Sequence, residues 1–438
     1  MLAKGPVIRA VDDLALCLKR RLRLAVLAHV GFDFVEGLAD AGRGGRRDQA
    51  EDDDGEGREQ EARDDLVHVV EHGHAQGGTA GLLPDDDGEE EISFYGEHQA
   101  GITTPMQKNI YFVVLDLHTT DRETIIQLFK DWTAYSEKLV DGELVKKDNS
   151  NALLPPTDTG ETVGLNPYRL TLTFGVSASF LKKMGLSDKR PKAFRDLPPF
   201  PKEQLKEKYT GGDIVIQACA DDEQVAFHAI RNLVRKGRNA ITMKWSQSGF
   251  ASIGDRMSTP RNLFGFKDGT ANVTKEKDFD KVIWCDSKDW MQGGSYMAVR
   301  RIQMFLETWD RTNLQEQENT FGRYKDSGAP FGKKDEFDEV DLELLPEDSH
   351  VRLAKEVDKP IYRRSYSYSD GIDETTGQFD TGLLFLSFQK DPDSFVKVLT
   401  NLGSQDKMNE YVTHIGSGLF ACFGGVKKGE YLGQKLFE

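Results

Sequence analysis

The sequence predicts an α+β fold made of two similar halves, and two observations lead to this prediction. First, one pattern recurs four times from about residue 94 onward: an apolar strand, a short turn that contains Asp, and an amphipathic helix. Second, the four units fall into two pairs, which is typical of an internal duplication. Each half is therefore expected to be an antiparallel sheet with helices on one face, as in the ferredoxin-like motif.

The repeated units give the expected order of elements along the chain. They occupy residues 109–132, 213–236, 295–313 and 381–403, and in the third unit the strand is expected to cover 295–309 before a helix starts near Asn313. The Asp or Thr at each switch from strand to helix is expected to cap the helix. Additional β-rich runs predict strands at 168–177, 240–249 and 361–369.

The chain divides into three regions by composition. Residues 1–91 form a Gly-, Asp-, Glu- and Arg-rich leader that is expected to be disordered, because it offers too little apolar surface to offset chain entropy. The short apolar run 24–32 follows basic residues and weakly resembles an export signal, but no convincing cleavage site follows. The alternative is a leader without function. We expect the N-terminal half at 92–262 and the C-terminal half at 263–438.

Charge and cysteine content exclude several classes of function. The 438 residues carry a net charge of −16, which argues against binding to nucleic acid phosphates. Residues 1–95 hold 11 Lys and Arg against 22 Asp and Glu, so most of the acidity lies away from the predicted folded halves. No apolar stretch is long enough for a membrane-spanning helix. The four cysteines contain no CxxC pair, which argues against a structural zinc site or a dithiol redox centre.

The string NLFGFKDGTAN, residues 262–272, presents a carboxylate in an unusual setting. Gly265 and Gly269 can adopt positive φ and so place Asp268 on a tight turn. A bare Asp-Gly pair usually means a solvated turn. Here Phe264 and Phe266 would add apolar walls beside the acid, which suits proton transfer near neutral pH.

Among the nine histidines, His350 has the most distinctive surroundings. It lies in LLPEDSHVRLA, residues 344–354, an expected loop where an acidic stretch gives way to an apolar one. A lone histidine is more often structural than a metal ligand, and both interpretations stay open at this point. His414, before the string IGSGLF, is expected to cap or to pack.

Two arginines follow in the string IYRRSYSYSDG, residues 361–371. Neighbouring strand residues point to opposite faces, so only one of Arg363 and Arg364 can face a given pocket. That guanidinium could donate hydrogen bonds to an anion or to a peroxide oxygen. The alternative is an edge strand with two solvated arginines.

Taken together and in this order, GFKDG, SHVRLA, RRSYSYSDG and GLLFLSFQKDP resemble the motifs of dye-decolourising peroxidases. The resemblance covers about residues 94–438, including FYGEHQAGI at 94–102, and is greatest to the exported bacterial branch of iron-uptake-associated deferrochelatases and peroxidases. It implies two ferredoxin-like halves with haem b held in the second.

The resemblance also implies a role for each motif residue. Asp268 matches the distal acid, Arg363 the distal arginine, His350 the proximal iron ligand and Asp391 the acid that orients the proximal imidazole. A neutral imidazole is a good haem ligand when its second ring nitrogen has an acceptor. Hydrogen peroxide and dye-like or phenolic reductants are the implied substrates.

Other functions remain open from the sequence. Release of iron from haem with the porphyrin left intact would use the same pocket as peroxidase activity. A haem carrier or sensor without turnover would need His350 but neither Asp268 nor Arg363. A homo-oligomer and partners from an iron-uptake system are further expectations from the resemblance. The resembling branch is exported, whereas a leader that is no signal would leave the protein in the cytoplasm.

Overall fold

A computed structural model describes residues 91–146, 151–253 and 259–438. All of them belong to one compact unit, Gly81–Glu438. Apart from Glu91, the predicted leader lies outside the described residues, as does Cys17. Within the described ranges, no helix combines the length and the apolar character that crossing a membrane requires.

The N-terminal half has the connectivity βαββαβ. Its strands are β1 (Asn109–Leu117), β2 (Thr171–Val176), β3 (Ile214–Ala220) and β4 (Ile241–Phe250), and its helices are α1 (Arg122–Val140), α2 (Ala178–Lys183) and α3 (Glu223–Gly237). The strands pair antiparallel in the order β4–β1–β3–β2. This is the ferredoxin-like arrangement that the sequence predicts.

The C-terminal half repeats that connectivity with more helical insertions. Its strands are β5 (Ser295–Met304), β6 (Tyr362–Arg363), β7 (Tyr366–Ile372), β8 (Phe379–Gln389) and β9 (Val412–Cys422), and its helices are α4 (Glu276–Val282), α5 (Leu306–Trp309), α6 (Leu314–Phe321), α7 (His350–Glu356), α8 (Pro392–Gln405) and α9 (Gln434–Phe437). The main strands pair antiparallel as β7–β8–β5–β9, and the short β6 pairs with β8. The duplicated ferredoxin-like fold is therefore confirmed.

Two short seams join the sheets of the two halves. The pairs Gly175↔Cys422 and Val176↔Ala421 connect β2 to β9, and Phe250↔Ser367 connects β4 to β7. The buried Gln99 side chain extends the first seam, since its Nε2 donates to Phe174 O and Phe423 O, each at 2.9 Å. The inner faces of both sheets pack on one another in an apolar core. The outer face of the second sheet is thereby left for α7 and α8.

The strand and helix predictions hold except at two strands, whereas β9 and the helices α2, α4, α5, α7 and α9 are not predicted. Helix α7 begins at His350, where a loop is expected. Strand β5 ends at Met304 rather than at 309, because the chain turns there and Trp309 packs on Phe264 at a centroid distance of 4.4 Å. The strand predicted at 361–369 is broken between β6 and β7. Strand β9 is not predicted, because glycines interrupt its apolar pattern. The expected Asp caps are confirmed at α1, α3 and α8, and Asn313 caps α6.

Candidate active site

A cavity of about 400 Å³ lies in the C-terminal half, between the outer face of its sheet and helices α7 and α8. Three of the four predicted site residues line it, namely Asp268, His350 and Arg363. The fourth, Asp391, does not. Residues 200–203 of the N-terminal half complete the wall. Side chains far apart in the sequence thus meet in one cavity of the size usual for ligand sites.

His350 is the first residue of α7 and directs part of its ring into the cavity, with 31 % of the side chain exposed. Its Nδ1 lies 2.7 Å from Oδ2 of Asp406. Burial lowers the pKa of His350, but the charge and the hydrogen bond of Asp406 outweigh it and leave the pKa above its usual value. The carboxylate fixes the orientation of the ring and leaves Nε2 for a ligand.

Asp406 is a buried residue directly after α8, and hydrogen bonds hold the turn that follows it. Its second oxygen, Oδ1, accepts a hydrogen bond from Met408 N at 2.9 Å. Lys407 N donates to Asp348 O at 3.0 Å, which ties this turn to the loop before His350. Both carboxylate oxygens therefore have defined partners.

The prediction that Asp391 orients the imidazole is wrong. Asp391 is exposed and caps α8, where its side chain accepts from Asp393 N at 3.0 Å. The helix that Asp391 begins is the one that Asp406 follows, 15 residues later. The acid that contacts His350 thus comes from the opposite end of α8.

Asp268 and Arg363 form an ion pair in the cavity, with Arg363 Nη1 3.0 Å from Asp268 Oδ1. Gly265 (φ 82°) and Gly269 (φ 117°) have the positive φ that the sequence predicts for this turn. Asp268 N donates to Pro260 O at 2.9 Å, so the backbone of the turn is anchored. Among the described residues, Asp268 Oδ2 accepts no hydrogen bond, which leaves it available to a ligand.

Asn272 connects the turn that carries Asp268 to the backbone of Arg363. Its side-chain Oδ1 accepts from Arg363 N at 2.9 Å, and its Nδ2 donates to Arg363 O at 2.6 Å. The same string that carries Asp268 therefore also fixes the backbone of Arg363.

Arg363 and Arg364 point in different directions, as expected for neighbours on a strand. Arg364 is buried and donates to Thr104 O and to the side chain of Gln107. These hydrogen bonds attach this part of the chain to the N-terminal segment. Arg363 is the arginine that lines the cavity. The choice of Arg363 from the motif agrees with this placement.

Apolar side chains make up most of the remaining wall. Phe264 lines the cavity directly, whereas Phe266 lies behind it and stacks on Phe321 at 4.0 Å. Leu383 and Phe385 of β8 face the same space. The walls also include Ile302, Met304, Leu399, Leu402, Met408 and Val412.

Three residues of the site were missed in the sequence: Asp406, Asn272 and His414. Asp406 directly follows a helix that another Asp, Asp391, caps at its start, so spacing alone could not choose between them. Asn272 lies inside the recognised string, and its Asn type four residues after Asp268 is a weak signal. His414 lines the cavity from β9, a strand that the sequence did not predict.

The donor set fits a haem rather than a metal ion held by protein ligands alone. One imidazole with a carboxylate on its second nitrogen faces an apolar cavity, which suits an axial ligand to a macrocycle-bound iron. The described ranges contain no group of three or more His, Cys, Asp or Glu that could hold a metal ion.

Comparisons with known proteins agree with this geometry. The family model for the N-terminal part of Dyp-type peroxidases matches residues 99–251, and the one for the C-terminal part matches 259–427. The chain is 38 % identical over 396 residues to a protein of Shigella sonnei named deferrochelatase, a match that covers 84 % of this chain and 92 % of that one. A deferrochelatase of Escherichia coli K12 is 37 % identical over 394 residues, with the same coverage.

Solved structures show the same relationship. DtpA from Streptomyces lividans, in an oxyferrous complex, superposes with a TM-score of 0.75 at 36 % identity, covering 80 % of this chain and 99 % of that one. A DyP-type peroxidase from Cellulomonas bogoriensis gives 0.74 at 35 % identity, with the same coverage. The chain therefore belongs to the Dyp-type peroxidase family and is a haem-dependent peroxidase.

Proposed function

We propose that the cavity binds haem b with His350 as the iron ligand, and that Asp268 and Arg363 act together on hydrogen peroxide. The observation that carries this proposal is the shared cavity: it holds His350, with its Nδ1 hydrogen-bonded to Asp406, and the Asp268–Arg363 pair. Haem without covalent attachment is favoured because the chain has no C-x-x-C-H string.

The bound haem iron would supply the electron-transfer chemistry that cleaves peroxide. The part of the protein is to position the reactants and to move protons. Asp268 Oδ2 would accept the proton from one peroxide oxygen and return it to the other, which leaves as water. Arg363 would stabilise the negative charge that develops on that oxygen.

Asp406 would act through His350. A carboxylate that accepts the Nδ1–H bond makes the imidazole a stronger donor at Nε2, and such partners typically change affinity or activity 10–100-fold. A cavity that only carried haem would need His350 but not the Asp268–Arg363 pair. The presence of this pair therefore favours a reaction with peroxide over haem transport.

The experiment that tests the proposal compares His350→Ala with wild-type protein. We expect folded protein with sharply reduced haem content or a shifted Soret band, because the axial ligand is lost. Asp268→Asn should load haem normally but turn over peroxide and an anthraquinone dye more slowly, since the amide cannot accept the proton. Wild-type haem content and spectrum in His350→Ala would contradict the ligand assignment.

A second candidate activity, removal of iron from haem, is favoured by the name deferrochelatase that two of the compared relatives carry. This reaction puts two protons on the porphyrin nitrogens and releases the iron, so it requires no peroxide. Metal-free porphyrin fluoresces and haem does not. Fluorescence that grows with wild-type protein but not with His350→Ala would support the activity here, and its absence would leave peroxidase activity alone.

We also propose, from the resemblance alone, that the protein works outside the cytoplasm as a homo-oligomer near an iron-uptake system. Fractionation of the producing cells tests the location, and light scattering of the haem-loaded protein tests the oligomeric state.

A further inference from the structure

One end of the cavity carries polar side chains that the proposed peroxide chemistry does not use. Arg300 on β5 and His414 on β9 line this end, together with Phe200, Lys202 and Glu203 of the N-terminal half. Gln204 N donates to His414 O at 2.9 Å, which fixes the N-terminal segment against β9. We call this set of five residues the Arg300 end.

Arg300 is a buried cation whose hydrogen-bonding capacity is only partly used. It is 1 % exposed, and its Nη1 donates to Glu203 Oε2 at 3.0 Å. Its guanidinium lies over the ring of Phe200 at 4.9 Å and over that of Phe395 at 5.6 Å. Nε is enclosed and has no partner among the described residues. Buried hydrogen-bond donors are nearly always paired. The bare Nε therefore marks a donor for which the described residues supply no acceptor.

His414 adds a second unused polar group beside Arg300. Burial, followed by the nearby Arg300 and His350, lowers the pKa of His414 to about 3, so its imidazole is neutral at ordinary pH. A neutral imidazole has one N–H donor and one acceptor nitrogen. No hydrogen bond joins the His414 ring to any other part of the described chain.

The charges at this end favour an anionic acceptor. Glu203 offsets the charge of Arg300, and Glu203 also accepts from Phe200 N at 3.0 Å, so its oxygens already have donors. Lys202 adds a positive charge to the same wall. The excess of donors and of positive charge matches a carboxylate, which guanidinium groups bind through two parallel hydrogen bonds.

We propose that Arg300 and His414 bind a carboxylate of the ligand that enters this cavity. The carboxylate belongs either to the porphyrin or to a free aromatic acid used as reductant. This inference rests on the proposed haem site, because both sources reach the Arg300 end through the cavity that His350 lines. Arg300 is then a ligand-binding residue and not only the partner of Glu203.

The first experiment compares haem with its dimethyl ester, in which both carboxylates are blocked. Each is loaded into full-length protein, and its transfer to apomyoglobin is followed by absorbance. Wild-type protein should lose the ester about 10-fold faster or more, since a hydrogen bond to a charged group contributes about that factor. The double variant Arg300→Gln/Glu203→Gln should reduce the difference to about threefold or less, and so should His414→Leu.

The double variant removes both charges together, so no unpaired carboxylate is left buried. Its matched control is Arg301→Gln/Asp370→Asn. Arg301 is the next residue on β5, is equally buried, and pairs with Asp370 at 2.7 Å, but it does not line the cavity. This control should keep the wild-type preference for free haem over the ester.

The second experiment identifies a free aromatic acid as the source. Haem-loaded proteins are titrated with benzoate and with benzamide, and binding is followed by the Soret absorbance. If the ester preference is the same in all variants, but benzoate binds about 10-fold more weakly to Arg300→Gln/Glu203→Gln and benzamide does not, the carboxylate is that of a free acid.

Two results distinguish a failure of the carboxylate site from a failure of the proposed haem site. If neither the ester preference nor benzoate binding changes in the double variant and in His414→Leu, the carboxylate site is refuted while the haem site stands. If wild-type protein retains no haem of either kind, the proposed function itself fails.

Discussion

Asp406 uses both of its oxygens, one for the Nδ1 of His350 and one for the backbone N–H of Met408. Because the backbone holds this carboxylate in place, the carboxylate can keep the imidazole in one orientation. Asp391 has the same residue type but only caps a helix. Environment, not residue type, separates the two acids.

Asp406→Asn should raise the reduction potential of bound haem and slow its reaction with peroxide about 10–100-fold, because a neutral amide is a weaker acceptor for the imidazole N–H. Spectroelectrochemistry and stopped-flow absorbance measure the two effects. The matched control is Asp391→Asn, which keeps a good helix cap and should change neither quantity. Equal effects of the two substitutions would refute the role of Asp406.

Arg363→Leu should keep haem but reduce the rate of reaction with peroxide about 10²–10³-fold, the usual loss for one preorganised donor to a developing negative charge. Arg364→Lys is the comparison, since Arg364 donates to Thr104 and Gln107 away from the cavity. It should lower the melting temperature and leave the rate nearly unchanged. Stopped-flow rates in the reverse order would show that Arg364 is the arginine that acts on peroxide.

At the scale of elements, the site depends on how the turn that carries Asp268 is attached to β6. Asn272 makes two hydrogen bonds with the backbone of Arg363. Strand β6 has only two residues, and its pairing with β8 is correspondingly short. The side chain of Asn272 therefore replaces the support that a longer strand would give to Arg363.

Asn272→Ala should lower kcat for dye oxidation about 10–100-fold while haem content stays normal, because a small displacement of a catalytic group is costly. Asn272→Asp keeps the acceptor for Arg363 N, but it replaces the donor to Arg363 O with a charged oxygen. It should recover part of the rate. Steady-state kinetics over a range of dye concentrations separate kcat from KM, and an unchanged kcat in Asn272→Ala would show that β6 holds Arg363 without this residue.

At the scale of the whole molecule, both halves contribute residues to the wall of the cavity. The first half contributes residues 200–203 to the cavity, and the second contributes the sheet and helices that form the rest of its wall. Gln99 supports the thin seam between β2 and β9 with three hydrogen bonds to the backbones of Phe174 and Phe423. The segment around Gln99 is consequently part of the fold and not of the leader.

A chain that starts at Glu91 should fold, load haem and turn over peroxide like the full chain, because the family match begins only at residue 99. A chain that starts at Thr103 is the control. It lacks Gln99 and leaves three buried backbone groups unpaired, each costing about 1–3 kcal/mol. Thermal unfolding and the Soret absorbance compare the two, and loss of haem from the Glu91 chain would refute the prediction.

The sequence by itself predicted the repeated units, most of the capping residues and three of the four named site residues that line the cavity. Strand and helix patterns are local, so they can be read over ten to twenty residues. The motif order added Asp268, His350 and Arg363, because each lies within a short string of distinctive composition.

Only the tertiary structure decided which acid reaches His350, how Arg363 is held and what faces the cavity beside them. Asp406 lies 56 residues from His350, Asn272 lies 91 from Arg363, and Glu203 lies 97 from Arg300. Such contacts depend on how the two sheets and α8 pack. Packing is driven by the burial of apolar surface. No local sequence pattern shows which distant side chains that packing will bring together.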